Sequence, residues 1–149
     1  MTDRSKTDPL AIGLFSEIAT SDQLMRARLA KALPKGMELS HFTLLNFLAL
    51  AGGERTPAQL ARTFHVTKAA MTNTLGKMER AGYVHIRPDW DDARRKMVSL
   101  SPAGLRARDA AVDNVAPVFD SVIADLGPDQ VRAALPFLRR LRAQLASSE

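Results

Sequence analysis

The sequence predicts a mainly α-helical fold with one small β-hairpin, and three observations support this prediction. Two short helical segments, 56–64 and 67–82, are joined by only two residues. Two strand patterns separated by a charged loop follow directly, over 83–100. On both sides of this region, apolar residues recur at helical spacing over long stretches. With 149 residues, the chain is large enough for a single domain, 1–149, with its own core.

The two short helices have clear start and stop signals. Thr56 precedes Pro57, and its hydroxyl can accept from the free backbone N–H groups of the first helix. Thr67 is placed to cap the second helix, and Gly82 to end it. Each helix has one apolar face, formed by Leu60, Ala61 and Phe64 in the first and by Met71, Leu75 and Met78 in the second. We expect these faces to be buried against each other.

The opposite face of the second helix has a different chemistry. It has no large apolar side chain and no acidic one, and it consists of Lys68, Ala69, Thr72, Asn73, Gly76, Lys77 and Arg80. A cationic helix face with small hydrogen-bonding side chains suits the major groove of DNA. We therefore call this segment, 67–82, the reading helix.

A charged hairpin follows the reading helix. Tyr83–Arg87 and Met97–Leu100 have the strand pattern, and the loop between them, 88–96, is rich in Asp and Arg. We call this hairpin the wing. A helix-turn-helix followed by such a hairpin is a winged helix-turn-helix, which we expect to occupy 40–100.

Helices are predicted on both sides of this unit. Asp8 and Pro9 open the first helix, which is expected to end before Pro34-Lys35-Gly36. Ser101-Pro102 opens a long helix that Gly127 stops, and a last helix follows with Pro136 inside it. Segments 8–33 and 102–147 carry more apolar surface than the winged helix can cover. We therefore expect them to be dimerisation helices.

One further helix is predicted between the first helix and the reading unit. Ser40 is placed to cap it, and Gly52-Gly53 to close it. Its inner positions are expected to be Phe42, Leu45, Leu48 and Leu50.

Together, these features resemble the MarR family of transcription regulators. The resemblance rests on the Leu60-Ala61 pair, on the 67–82 helix with Glu79 and Gly82 at its end, and on Asp92-x-Arg94 followed by Leu100-Ser101. The family usually has Thr at the position of Ser101. The resemblance covers nearly the whole chain and implies a homodimer that binds a pseudo-palindromic operator in double-stranded DNA. Its two reading helices would lie about 34–36 Å apart.

On the reading helix, five residues are candidates for DNA contacts. Lys68 suits a phosphate or a guanine edge, or it is simply a solvated lysine. Thr72 and Asn73 are expected to reach base edges, although the family often has Arg at the position of Asn73. Ala69 is placed to meet a thymine methyl group, or it is only a good helix former. Lys77 is expected to contact a phosphate.

In the wing, the resemblance implies that Arg94 enters the minor groove while Asp92 holds it in shape, with Arg95 beside it. An inserted guanidinium exploits the negative potential of a narrow A·T-rich minor groove. The alternative is a charged hairpin that only protects a sheet edge from aggregation. Trp90 is placed either to pack under the wing or to lie against a sugar.

The resemblance also implies a repressor that a small aromatic or anionic effector releases. That ligand would bind between the dimerisation helices and the reading unit, where Phe15 and His41 are expected to border the crevice. A winged-helix module that grips another protein without binding DNA is the alternative function.

Composition sets the remaining expectations. The formal net charge of +5 favours a polyanionic partner, or it serves solubility alone. There is no cysteine, so disulfides and thiolate metal sites are excluded. His41, His65 and His85 lack metal-ligand spacing, and no catalytic motif is present. We therefore expect no enzyme activity, no cofactor, no metal site and no membrane partner, and a cytoplasmic location.

Overall fold

A computed structural model describes residues 9–147 and confirms the mainly helical fold class with its β-hairpin wing. The described elements are α1 Pro9–Ala32, α2 Leu39–Ala51, α3 Pro57–Thr63, α4 Lys68–Arg80, β1 Val84–Pro88, β2 Lys96–Leu100, α5 Pro102–Leu126 and α6 Pro128–Ala146. The predicted cap Asp8 lies outside the described residues. Within 9–147, no helix is long and apolar enough to cross a bilayer.

The wing is a two-stranded antiparallel sheet. Val84 lies opposite Leu100 at its base, and Pro88 lies opposite Lys96 at its tip. β1 begins one residue later than its sequence pattern indicated, and β2 begins one residue earlier. In addition, Arg55 pairs with Val98 through two backbone hydrogen bonds of 2.9 and 2.8 Å. The segment that leads into α3 is thereby attached to the wing.

The core of the winged helix is formed by the predicted apolar faces of α3 and α4. Leu60 and Leu75 are almost fully buried, and they pack with residues of α2 and of both strands. Phe64 is half-buried and packs edge-on against Phe47, with 5.6 Å between the ring centroids. The members of this core are Leu44, Leu45, Leu48, Leu60, Ala61, Met71, Leu75, Met78, Val84 and Val98.

Two predictions for α2 are wrong. The N-cap is Glu38 and not Ser40: Glu38 and His41 form a capping box, in which the His41 ring accepts from the Glu38 N–H at 3.4 Å. Leu50 is 73% exposed, whereas Leu44 is 1% exposed. At 100° per residue, Leu44 lies on the same face as Leu48, while Leu50 is turned away from that face.

The long helix α5 begins as predicted, and its start is tied to the wing. The Ser101 hydroxyl accepts from the Gly104 N–H at 2.9 Å and donates to the Gly82 carbonyl at 2.6 Å. Gly127 ends α5, and Pro136 lies inside α6, both as predicted. Pro117 lies inside α5, which the sequence analysis did not mark.

A second, smaller core joins the outer helices to the winged helix. Leu33, Phe42, Ala111 and Val115 are buried there, between the end of α1, α2 and α5. By contrast, neither α1 nor α6 contains a buried residue. The large apolar side chains that these two helices expose are Leu10, Ile12, Leu14, Phe15, Ile18, Leu24, Met25, Leu135, Phe137, Leu138 and Leu145.

Candidate nucleic-acid interface

The reading unit is held by side-chain caps at the start of both of its helices. The Thr56 hydroxyl accepts from the Gln59 N–H at 3.1 Å, and the Gln59 side chain accepts from the Thr56 N–H at 2.9 Å. The Thr67 hydroxyl accepts from the Ala70 N–H at 3.1 Å. Both predicted caps are thus confirmed. The reciprocal role of Gln59 was missed, although Thr-x-x-Gln is a capping-box pattern.

The chain turns sharply on both sides of the reading helix. His65, between α3 and α4, has a φ of 51°, which is the left-handed region that non-glycine residues rarely adopt. Gly82, after α4, has a φ of 79°, where glycine carries no β-carbon penalty. These two turns fix where the reading helix starts and how the chain leaves it for the wing.

The buried stripe of α4 determines which side chains face outward. Because Met71, Leu75 and Met78 are buried, residues about half a turn away must point into solvent. Ala69 and Asn73 lie directly opposite that stripe, and both are exposed. These two side chains therefore face away from the protein core.

A groove of about 650 Å³ lies between the reading unit and the wing. The reading helix contributes Lys68 and Thr72 to its lining, and the wing contributes Arg94 and Arg95. The structure thus brings four of the predicted contact residues to one groove. Six charged residues line the groove, five of them basic and one acidic. They are Arg62, Lys68, Glu79, Arg94, Arg95 and Lys96. Arg62 and Lys96 were not singled out from the sequence, where isolated basic residues carry no distinguishing signal.

Lys77 lies on the other flank of the reading helix. It lines a smaller cavity of about 250 Å³ together with Lys35, His41 and Tyr83. This cavity sits where the α1–α2 connection meets the end of α4. His41 thus borders a cavity at the junction of the outer helices and the reading unit. Phe15 is 70% exposed on α1 and does not line it.

In the wing loop, Asp92 organises the arginine that follows it. Its Oδ1 atom accepts from the Arg94 backbone N–H at 3.1 Å and from Arg94 Nε at 3.3 Å. The Arg94 side chain nevertheless remains 92% exposed. Arg95 Nε lies 3.7 Å from a carboxylate oxygen of Asp89. Asp92 therefore orients an exposed guanidinium at the tip of the wing, the geometry that the wing pattern implied.

Gly76 also lines the groove, and the fold itself does not require a glycine there. A β-carbon at this position would meet only the flexible end of the Arg80 side chain, at 3.4 Å. A glycine in a helix interior costs about 1 kcal/mol relative to alanine. Packing among the described residues therefore does not explain why position 76 lacks a side chain.

Near the loop end of β1, Glu54 and Arg87 form an ion pair that was not predicted from the sequence. Arg87 donates to both carboxylate oxygens of Glu54, at 2.7 and 2.8 Å. The Arg87 guanidinium also lies under the exposed ring of Trp90, 5.3 Å from the ring centroid. The hydrogen bond to Glu54 raises the pKa of Arg87 above its usual value. Because 33 residues separate the two partners, no local pattern could have indicated the pair.

A protein-family model matches the part of the chain that contains the groove. Residues 35–95 fit the model of the MarR family, which spans α2, the reading unit, β1 and the wing loop. The resemblance to the MarR family is confirmed. The basic groove thus lies almost entirely within the segment that fits the MarR-family model.

One related protein and two solved structures are also similar to this chain. The transcriptional activatory protein BadR of Rhodopseudomonas palustris is 28% identical over 83 residues, which cover 55% of this chain and 47% of BadR. The aligned part therefore spans about half the length of BadR. A mutant of E. coli MarR in complex with operator DNA has a TM-score of 0.75 at 22% identity, covering 92% of this chain and 99% of that one.

A second similar structure concerns regulation by a small molecule. It is that of BpsR of Bordetella bronchiseptica, described in a study of how 6-hydroxynicotinic acid regulates its DNA binding. Its TM-score is 0.75 at 17% identity, covering 87% of this chain and 98% of BpsR. At these identities the two solved structures show that the fold is shared. The fold is that of the MarR-family transcription regulators.

Proposed function

We propose that this protein is a sequence-specific DNA-binding transcription regulator that acts as a homodimer. The groove between the reading helix and the wing carries this proposal, because five of its six charged lining residues are basic. A concentration of positive charge beside an exposed reading helix is the electrostatic footprint of a DNA-binding surface. The similar structure of E. coli MarR in complex with operator DNA supports the same role.

In this proposal, the reading helix enters the major groove. Thr72 and Asn73 contact base edges, and a good bidentate contact from Asn to adenine discriminates by about 1–3 kcal/mol. Ala69 packs beside them against a thymine methyl group. Lys68 and Lys77 lie on opposite flanks of the helix, so each is placed to contact the phosphates along one wall of the groove.

The wing then reaches the neighbouring minor groove. Asp92 holds the backbone and side chain of Arg94, which reduces the conformational freedom that Arg94 loses on binding. Arg94 inserts into the minor groove, where a narrow A·T-rich segment attracts a guanidinium. Arg95 contacts the adjacent phosphates.

The dimer forms through α1, α5 and α6, and the uncovered apolar surface supports this. Neither α1 nor α6 buries a residue in the single chain. Soluble monomers rarely expose apolar surface of this extent. A two-fold axis through these helices presents two reading helices about 34–36 Å apart, which matches a pseudo-palindromic operator.

We further propose that the dimer represses transcription by occluding its promoter and that a small aromatic acid releases it. The cavity lined by His41, Lys35, Lys77 and Tyr83 supports this, because it combines cationic groups with an aromatic ring at the junction of the outer helices and the reading unit. In the proposed dimer, Phe15 would border the crevice, although it does not line the cavity of the single chain. The regulation of BpsR by 6-hydroxynicotinic acid concerns a ligand of this class. BadR is named an activatory protein, so activation is the alternative outcome of the same DNA binding.

The salt dependence of DNA binding tests the function. Genomic fragments that the purified protein selects provide the operator, and fluorescence anisotropy measures its affinity between 50 and 200 mM salt. We expect the logarithm of the association constant to fall steeply with the logarithm of the salt concentration, by about 0.9 for each phosphate neutralised. No binding, or a flat response, rejects the proposal and favours a winged-helix module that binds another protein.

Substitution in the wing provides a residue-level test of the same function. We expect Arg94→Ala to weaken operator binding about tenfold or more, because it removes the minor-groove contact. Its melting temperature should be unchanged, since the side chain is 92% exposed. Arg106→Ala is the matched control, because it removes the same charge from an exposed position on α5. Equal losses in the two variants would show that only net charge matters.

A further inference from the structure

Outside the predicted contact residues, the loop end of β1 carries a side-chain cluster with no role so far. It consists of Glu54, Arg87 and Trp90, and we call it the wing clamp. Glu54 lies just before Arg55, whose backbone pairs with Val98 in the wing. The side chains of Glu54 and Arg87 are about two-thirds covered, at 33% and 35% exposed.

The geometry of the clamp fixes Arg87 from three directions. Its guanidinium donates to both oxygens of Glu54 at 2.7 and 2.8 Å, and its Nη1 atom donates to the Pro88 carbonyl at 2.9 Å. The Trp90 ring covers the guanidinium at 5.3 Å. Two parallel hydrogen bonds fix the orientation of the planar guanidinium relative to the carboxylate, which a single hydrogen bond would not do. The raised pKa of Arg87 agrees with a guanidinium bound by a carboxylate.

The clamp joins the two parts of the chain that must meet DNA together. Glu54 is in the segment that leads to the Thr56 cap of α3, and α3 packs against the reading helix. Arg87 is in β1, one residue before its end, and Trp90 lies in the loop that carries Arg94. A two-stranded hairpin alone is only marginally rigid. The angle between wing and reading helix therefore depends on the contacts that attach the wing to the segment before α3.

We propose that Arg87 is a positioning residue, which Glu54 and Trp90 hold so that the wing keeps a fixed orientation relative to the reading helix. This inference rests on the proposed DNA-binding function, since the orientation serves to present Arg94 while the reading helix occupies the major groove. Arg87 acts through the wing and makes no DNA contact of its own.

The experiment uses the full-length Glu54→Gln variant and two readouts. The chain contains a single tryptophan, so the time-resolved fluorescence anisotropy of Trp90 reports the motion of the wing in the free protein. We expect a larger fast component in the variant than in the parent protein. We also expect operator affinity to fall about three- to five-fold, with an unchanged salt slope, because no phosphate contact is lost.

The control variant is Asp109→Asn, which removes a carboxylate from the Arg108–Asp109 ion pair on α5. Both variants raise the formal net charge of +5 by one, and that change alone strengthens DNA binding. Weaker binding by Glu54→Gln, together with unchanged or stronger binding by Asp109→Asn, therefore supports the clamp. Equal behaviour of the two variants in both readouts overturns it.

Arg87→Lys separates positioning from charge. Lysine keeps the charge but cannot form two parallel hydrogen bonds with Glu54. We expect it to mobilise Trp90 and weaken binding as Glu54→Gln does, and wild-type values in both readouts would overturn the clamp. If the parent protein binds no DNA, the proposed function fails, and the anisotropy of Trp90 alone decides whether the clamp holds the wing.

Discussion

The turn into the reading helix places a histidine where glycine is favoured. His65 has a φ of 51°, and its side chain is exposed. We expect His65→Gly to raise the free energy of unfolding by about 0.5–1 kcal/mol, because the left-handed region is unfavourable for a residue with a β-carbon. Chemical denaturation at a fixed protein concentration measures this change.

Gly82→Ala is the control for His65→Gly, because it adds a β-carbon at a position with a positive φ instead of removing one. The φ of Gly82 is 79°, and a β-carbon at this position would meet nothing within 4 Å. Any loss of stability in Gly82→Ala must therefore arise from the backbone conformation, and we expect a loss of about 1 kcal/mol. If His65→Gly is also destabilising, contacts of the imidazole outweigh its backbone strain.

Among the elements, the start of α5 is held most tightly against the wing. A β-carbon on Gly104 would overlap the Tyr83 carbonyl oxygen and approach Leu100 Cδ1 to 2.7 Å. Neither the strand backbone nor the buried helix start can easily move away. We therefore expect Gly104→Ala to lower the free energy of unfolding by about 2–3 kcal/mol, as overpacking does, in thermal or chemical denaturation.

Gly76→Ala is the matched control, because it places the same methyl group on another helical glycine. There the new β-carbon meets only the movable end of Arg80, so we expect stability to rise by about 1 kcal/mol. In the proposed complex this position faces DNA, so operator affinity should fall although stability rises. A loss of stability similar to that of Gly104→Ala would contradict the packing argument.

The sequence predicted most element starts, because caps are local. Thr56, Thr67 and Ser101 each bond to a backbone group only three residues away, which a pattern can reveal. At α2 the N-cap is Glu38 and not the predicted Ser40, because glutamate is not among the residues that N-cap positions usually prefer. Sequence separation explains the other omissions. The Arg55–Val98 bridge and the Glu54–Arg87 pair join distant segments, and only the folded chain brings them together.

At the scale of the whole molecule, the dimerisation prediction remains open and follows from surface chemistry. The winged helix buries its apolar residues within one chain, whereas α1 and α6 bury none. The single chain therefore has a complete reading unit and incomplete outer helices. In the proposed function, the chain therefore depends on a second copy for stability and for reading both halves of an operator.

Leu138→Glu tests this dependence. Leu138 is 47% exposed on α6, and a carboxylate at that position would have to be desolvated in a dimer interface. We expect sedimentation equilibrium to give twice the chain mass of 16.3 kDa for the parent protein and the single mass for the variant. The melting temperature should rise with protein concentration in the parent only, because association stabilises the folded state by mass action.

Gln130→Glu is the control for Leu138→Glu, since it adds the same charge to an exposed polar position of the same helix. It should remain dimeric. On DNA, the monomeric Leu138→Glu variant should bind a single half-site as well as the parent does, because its reading unit is intact. It should lose most of the affinity for the full operator, since two linked sites bind far more tightly than either one. A parent protein of single mass, or a Leu138→Glu dimer, would contradict the assignment of α6 to the interface.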